Sequence, residues 1–147
     1  MKEISDNNTK LIGNIAELEV LTYATKLGYQ VSIPFGDRAR YDQIWEVNGK
    51  LFKIQVKNAH EANEGESIEI SCRSSNRLQG KSVNKKYTPD EVDFIASYYK
   101  GKCYLIPVSE TTGKVKRLRF VNAKNNQSTN VNWADDYEVE KIIQNFI

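Results

Sequence analysis

Asp42, Gln55 and Lys57 lie on either side of an Asn48-Gly49 pair in the stretch RYDQIWEVNGKLFKIQVKNA, residues 40–59. An acid and an amide can both offer oxygen to a hard cation, and an amine beside them can steady developing negative charge. Asn-Gly is the strongest short hairpin signal, because a type I′ turn needs positive φ at both positions. With a two-residue loop, Val47 faces Lys50, Trp45 faces Phe52, Gln43 faces Ile54 and Tyr41 faces Val56. That face is nearly all apolar and belongs to a core. The other face pairs Ile44 with Lys53, Asp42 with Gln55, and Arg40 with Lys57. Opposed Cβ atoms lie roughly 4.5–5.5 Å apart, so Asp42 and Gln55 can place two oxygens on one cation, with Lys57 two residues further along the same face. The same residues equally suit the solvent-exposed side of an antiparallel hairpin, where polar groups need no task.

The surrounding elements decide which. Residues 9–27 carry apolar side chains at Leu11/Ile12, Ile15/Ala16, Val20, Tyr23/Ala24 and Leu27, the 3.6-residue stripe of an amphipathic helix. Thr9 or a preceding asparagine can cap it and Gly28 ends it. Glu17 falls at the margin of that stripe, where it is either a solvated edge residue or, if the helix crosses the hairpin, a carboxylate aimed at Asp42 and Gln55. YQVSIPF (29–35) alternates as a strand, with Pro34 marking an edge or an end. After the hairpin, NAHEANEGES reads as a polar loop, IEISCR (68–73) as a short strand and the segment to Thr88 as a basic loop. EVDFIASYY (91–99) and CYLIPVSE (103–110) form a second hairpin of nearly continuous apolar strands, buried on both faces. KVKRLRFV (114–121) alternates basic and apolar residues. NAKNNQSTNVN is a polar linker, and Trp133–Ile147 reads as a terminal helix with Val139, Ile142, Ile143 and Phe146 on one side. The order of elements predicts an α/β or α+β fold, residues 1–147 forming one domain.

Composition fits a globular chain of 147 residues, 39% hydrophobic and 27% charged. No apolar run approaches a membrane span and no signal peptide opens the sequence, so an intracellular, cytoplasmic location and no membrane partner are expected. Cys72 and Cys103 make neither a disulfide framework nor a zinc site. The net charge is only +2, yet basic residues are segregated. Arg73, Arg77, Lys81, Lys85 and Lys86 share a stretch free of acids, as do Lys114, Lys116, Arg117 and Arg119. Such clustering gives one face a positive potential, although a solvated loop and an ordinary basic strand have the same composition. No Ser/His/Asp or Cys/His set competes for catalysis, and the single histidine, His60, lies in an acidic loop.

Glu17 in GNIAE, Asp42 in RYD, and Gln55-Val56-Lys57 in IQVK resemble the motif of the PD-(D/E)XK nuclease superfamily. That motif is a helix glutamate, an aspartate starting a strand, and an acid-x-lysine on the next. The likeness runs from about Thr9 to Val121 and is closest to the small intron-encoded homing endonucleases of that class. It implies a PD-(D/E)XK core, a mixed β-sheet flanked by helices, and an Mg²⁺-dependent endonuclease acting on double-stranded DNA, with Mn²⁺ able to substitute. Asp42, Gln55, Glu17 and the Val56 carbonyl would hold the metal, and Lys57 would orient the attacking water. Tyr41 stands where the superfamily has proline, and Gln55 replaces its usual carboxylate, which removes a negative charge from the metal site.

The resemblance also implies DNA contacts from Arg38, Arg40, Arg73, Arg77, Lys81, Lys85, Lys86, Lys114, Lys116, Arg117 and Arg119. A chain this short cutting both strands of a long site implies a homo-oligomer, a dimer or a tetramer, for which the apolar side of the terminal helix and the second hairpin are the expected interface. The rival readings are a Holliday-junction resolvase or repair nuclease on the same core, and a DNA-binding module that has lost catalysis through Gln55.

Overall fold

The computed structural model of the chain describes residues 8–122 and 130–147, with the side chains of 76–78 excepted. It is a mixed α+β fold. Helix α1 (Thr9–Lys26) is capped by Asn8, whose side chain accepts from the Leu11 N–H at 3.1 Å; loss of such a cap costs about 1 kcal/mol. The helix packs Ala16, Val20 and Ala24 inward, and Gly28 (φ 87°) turns the chain out of it.

A five-stranded sheet runs in the order β1-β2-β3-β8-β9, where β1 is Gln30–Ser32, β2 Gln43–Val47, β3 Lys50–Val56, β8 Phe94–Tyr99 and β9 Lys102–Pro107. Only β3 and β8 pair in parallel. The Asn48-Gly49 turn has φ of 51° and 80°, and its register is the expected one, Val47 against Lys50 through Gln43 against Ile54. The pairing stops at Gln43, one residue after Asp42. Trp45, Ile54, Phe94, Ile95, Leu105 and Ile106 are sealed from solvent, with α1 packed on β1, β3, β8 and β9 and the helix Val139–Ile143 on β9.

Four elements differ from expectation. Strand β1 is three residues long and forms the sheet edge, as Pro34 suggested, but does not reach Phe35. The polar segment after Lys57 is strand β4 (Ala59–Ala62), which pairs with β5 (Ser67–Ser71) across a turn of positive-φ residues, Asn63 to Gly65. Its own side chains carry little apolar signal; Ile68 and Ile70 of β5 supply the buried row. Strand β10 (Val115–Arg119) completes this second sheet in the order β10-β5-β4.

The basic segment is likewise not a loop. It is a separate hairpin of β6 (Arg73–Leu78) and β7 (Lys81–Lys86) closed by Gln79-Gly80, both at positive φ. All six residues of β7 are exposed, so no apolar face announces the strands; backbone pairing and the tight turn make them. Finally, the terminal helix shrinks to a 3-10 turn at Ala134–Tyr137 and a five-residue α2 (Val139–Ile143). Bridges from Trp133 to Arg119 and from Glu138 to Tyr104 draw that backbone into the strands instead. Most of the polar linker before it, residues 123–129, lies outside the described residues.

Val139, Ile142 and Ile143 are buried against β9 within the chain, and Phe146 stacks edge-on to Phe94 at 4.8 Å. Strands β8 and β9 are almost wholly buried as well. Of the surfaces expected to form a subunit interface, Val139, Ile142, Ile143 and most of the second hairpin are covered within the chain, while Phe146 stays exposed. Among the described residues no helix is long and apolar enough to cross a membrane.

Candidate active site

Strand β2 ends just where β3 still has hydrogen-bonding groups to satisfy. Asp42 meets that need twice: its N–H donates to the Ile54 carbonyl at 2.8 Å and its Oδ2 accepts from the Val56 N–H at 2.9 Å. Its carboxylate thus lies in line with the strand, fixed through one oxygen. Helix α1 brings Glu17 beside it, close enough for the two carboxyl groups to hydrogen-bond. Burial, and then the neighbouring Asp42 charge, push Glu17 up to about 7. Burial raises Asp42 as well, against the opposing pull of the Val56 N–H, Glu17 and Lys57. Two carboxyl groups in one half-buried place keep a proton between them near neutrality because both cannot be charged cheaply.

Lys57 is the residue just after the end of β3. Its N–H donates to Ala96 at 2.9 Å and its carbonyl accepts from the buried Ser97 hydroxyl at 2.8 Å, which locks the backbone into the central sheet. Its ammonium donates to the Arg73 carbonyl at 2.9 Å and lies 5.3 Å from the centre of the Tyr87 ring. Burial lowers its pKa, with the Asp42 charge pulling the other way. Gln55 is half-buried, and its amide NH₂ points to the Val56 carbonyl at 3.4 Å.

Among the described residues no group of three or more His, Cys, Asp and Glu side chains gathers anywhere. Two carboxylates stand beside one another, and the residues expected to join them, the Gln55 amide and the Val56 carbonyl, also offer oxygen. Such a set suits Mg²⁺ or Mn²⁺, which bind through one or two carboxylates and keep several waters, and does not suit zinc. A divalent cation would also remove the repulsion that holds a proton on Glu17, so the residues present fit one.

The expected DNA contacts divide sharply. Arg38 is exposed, and Lys81, Lys85 and Lys86 stand free on β7. Arg77 carries a side chain outside the described residues. Arg73 instead donates to the carbonyls of Cys72, Thr111 and Thr112, at 3.1, 2.9 and 2.6 Å. Arg40 donates to the Lys86 carbonyl at 2.7 Å, to Ser74 at 2.5 Å and to Glu91 at 2.8 Å, and its guanidinium lies 4.4 Å over the Tyr87 ring. On β10, Lys116 pairs with Glu110, Arg117 with Glu69 and Arg119 with Glu66, while Lys114 is exposed. The positive strand expected there is thus largely paired with acids of neighbouring segments.

Sequence reasoning missed Tyr87, Ser97 and Glu91, which brace the site rather than line it. One signal was available. Thr88 and Glu91 have the S/T-x-x-E spacing of a capping box, and the Glu91 carboxylate does accept from the Thr88 N–H and hydroxyl, at 3.2 and 2.9 Å.

An acid pair at the end of two strands, a lysine one residue past β3 and a mixed sheet define a nuclease of a known kind. The profile of the PD-(D/E)XK endonuclease family matches residues 7–140, and the chain belongs to that family. Nucleases of this family generally depend on divalent metal. Among solved structures the chain is similar to a bacterial homing endonuclease, I-Ssp6803I, with a TM-score of 0.74 and 26% identity over 95% of this chain and 96% of that one. No curated protein matches it.

Proposed function

We propose that this chain is a Mg²⁺-dependent homing endonuclease that cuts double-stranded DNA at a specific sequence, as a homo-oligomer. The observation that carries the reading is that Lys57, in the superfamily's lysine position beside Asp42, also holds the root of the exposed cationic hairpin. DNA lying along β7 would therefore reach the acid pair, and recognition and cutting would share one corner of the molecule.

Asp42 and Glu17 would hold the metal, with Gln55 and the Val56 carbonyl as neutral oxygen donors. Bound there, the cation supplies a Lewis acid and a source of hydroxide near neutral pH. The Val56 N–H keeps Asp42 from rotating, so its free oxygen has one direction. Lys57 would orient the attacking water and stabilise charge as it develops on the phosphate, in a half-buried place where that charge is worth more than in water. Arg38, Lys81, Lys85 and Lys86 would supply phosphate and base contacts. A second copy is required because one acid pair serves one strand of DNA. Exposed apolar residues that could meet it include Leu11 and Leu18 of α1 and Ile33, Phe35 and Leu51 near the sheet edge.

Cleavage of supercoiled plasmid, linear duplex and a four-way junction, each with Mg²⁺ and with chelator, tests this reading. Metal-dependent, site-specific cutting of linear duplex is expected. Preference for the junction would favour the resolvase reading, and tight binding without nicking would favour the inactive module.

A further inference from the structure

Gln43 is fully buried on the core side of β2, one residue after Asp42. An unpartnered amide in that place costs about 1–3 kcal/mol, and an apolar side chain would fill the space at no such cost. The amide is instead satisfied at both ends. Its NH₂ donates to the backbone carbonyl of Glu17 at 2.8 Å, and its oxygen accepts from the indole N–H of Trp45 at 3.0 Å. Trp45 is itself sealed from solvent, so the indole fixes which way the amide faces.

The partner on the helix is the telling part. Glu17 sits in the middle of α1, where each carbonyl already has an intrahelical donor by position. The bond from Gln43 is thus an addition that ties one chosen turn of the helix to one chosen point of the sheet. The turn is the one that carries the acid facing Asp42. Adjacent residues of the chain therefore hold the same glutamate, Asp42 at its carboxyl group and Gln43 at its backbone.

We infer that Gln43 is a positioning residue for the acid pair: its bond to the Glu17 backbone sets how the two carboxylates meet and thereby the affinity for a divalent cation. The inference rests on the metal site of the proposed function. Gln43 would act from the core side of the hairpin, buried away from any bound metal or DNA.

The test is Mn²⁺ binding by calorimetry on the full chain without DNA, for wild type, Gln43→Met, Glu17→Gln and the double variant. Methionine keeps the length of the side chain and removes both hydrogen bonds. Gln43→Met is expected to weaken Mn²⁺ binding about tenfold, the low end for residues that orient metal ligands. In the Glu17→Gln background the same change should have no further effect, because its influence passes through that carboxylate. Unchanged affinity in Gln43→Met overturns the inference, and so does an equal loss in both backgrounds, which marks general loosening of the core. Wild type that binds no Mn²⁺ overturns the metal site itself, a result distinct from either. Should Gln43→Met not fold, Trp45→Phe leaves the amide unheld and enters the same cycle, with a smaller loss expected in the Glu17 background only.

Discussion

The ammonium of Lys57 donates to the backbone carbonyl of Arg73, the first residue of the cationic hairpin, at 2.9 Å. The lysine of the acid-x-lysine position is therefore tied to the root of the cationic hairpin. If DNA engages the hairpin as proposed, a shift of its root would change what Lys57 can reach. Replacing Lys57 by Met should abolish cleavage while sequence-specific affinity changes less than tenfold, since the hairpin keeps Arg40 at its root. Single-turnover cutting at the wild-type rate would remove Lys57 from the mechanism.

Gln55 separates a weakened metal site from an absent one. Gln55→Glu restores an anionic oxygen, which adds Coulomb attraction that a neutral amide lacks. Half-maximal cleavage should then need several-fold less Mg²⁺. Gln55→Ala should raise the requirement toward that of Asp42→Ala. Rate against Mg²⁺ concentration decides it, and an Ala variant identical to wild type shows that Gln55 is only a strand residue.

Arg40 and the lysines of β7 should part company in salt. Each phosphate that a cation ceases to neutralise lowers the slope of log affinity against log salt by about 0.9. Alanine at Lys81, Lys85 and Lys86 together should flatten the slope by up to about 3 on that basis. Arg40→Ala should leave the slope alone, because its guanidinium is spent on Ser74, Glu91 and the Lys86 carbonyl, yet it should slow cutting by loosening the hairpin root. A slope reduced by about 1 in Arg40→Ala would instead assign it to a phosphate.

The acid pair gives stability a defined pH dependence. Glu17 holds its proton in the folded chain until about pH 7 but releases it near its ordinary value of 4.5 when unfolded. Between those limits the folded state binds more protons, so stability falls as pH rises. Asp42 is shifted in the same direction. Water still reaches Glu17 and screens the effect, so a loss on the order of 1 kcal/mol is expected from pH 5 to 7.5 without divalent cations. Mn²⁺ should restore stability at the alkaline end, and Glu17→Gln should flatten the profile. Thermal unfolding across that range measures all three.

The hairpin register was legible because Asn48-Gly49 permits one turn and the alternation Trp45, Val47, Phe52, Ile54 permits one buried face. Glu17 was legible only as a residue at the edge of a stripe; that it meets Asp42 depends on how α1 crosses the sheet, which Gln43 and the buried Ala16 and Val20 determine. The β6–β7 hairpin left almost no trace, since strands without a buried face have no alternation to read. Its turn at Gln79-Gly80 lacks the asparagine that betrayed the first. Charge clustering singled out the segment that forms β7 but could not tell an exposed cation from a paired one. Arg73, Arg117 and Arg119 look like Lys85 in the sequence and differ only in what the fold sets beside them.

The hairpin is anchored mainly through main-chain carbonyls, those of Arg73 and Lys86, and none of the side chains of β7 is buried. Exchanging surface side chains of that kind shifts stability by roughly 0.5 kcal/mol at most. The exposed side chains of β7 can thus drift while the surroundings of Asp42, Glu17 and Lys57 stay intact. If β7 meets DNA as proposed, the hairpin is a part whose specificity can change at little cost to the fold, and β7 is the strand to randomise.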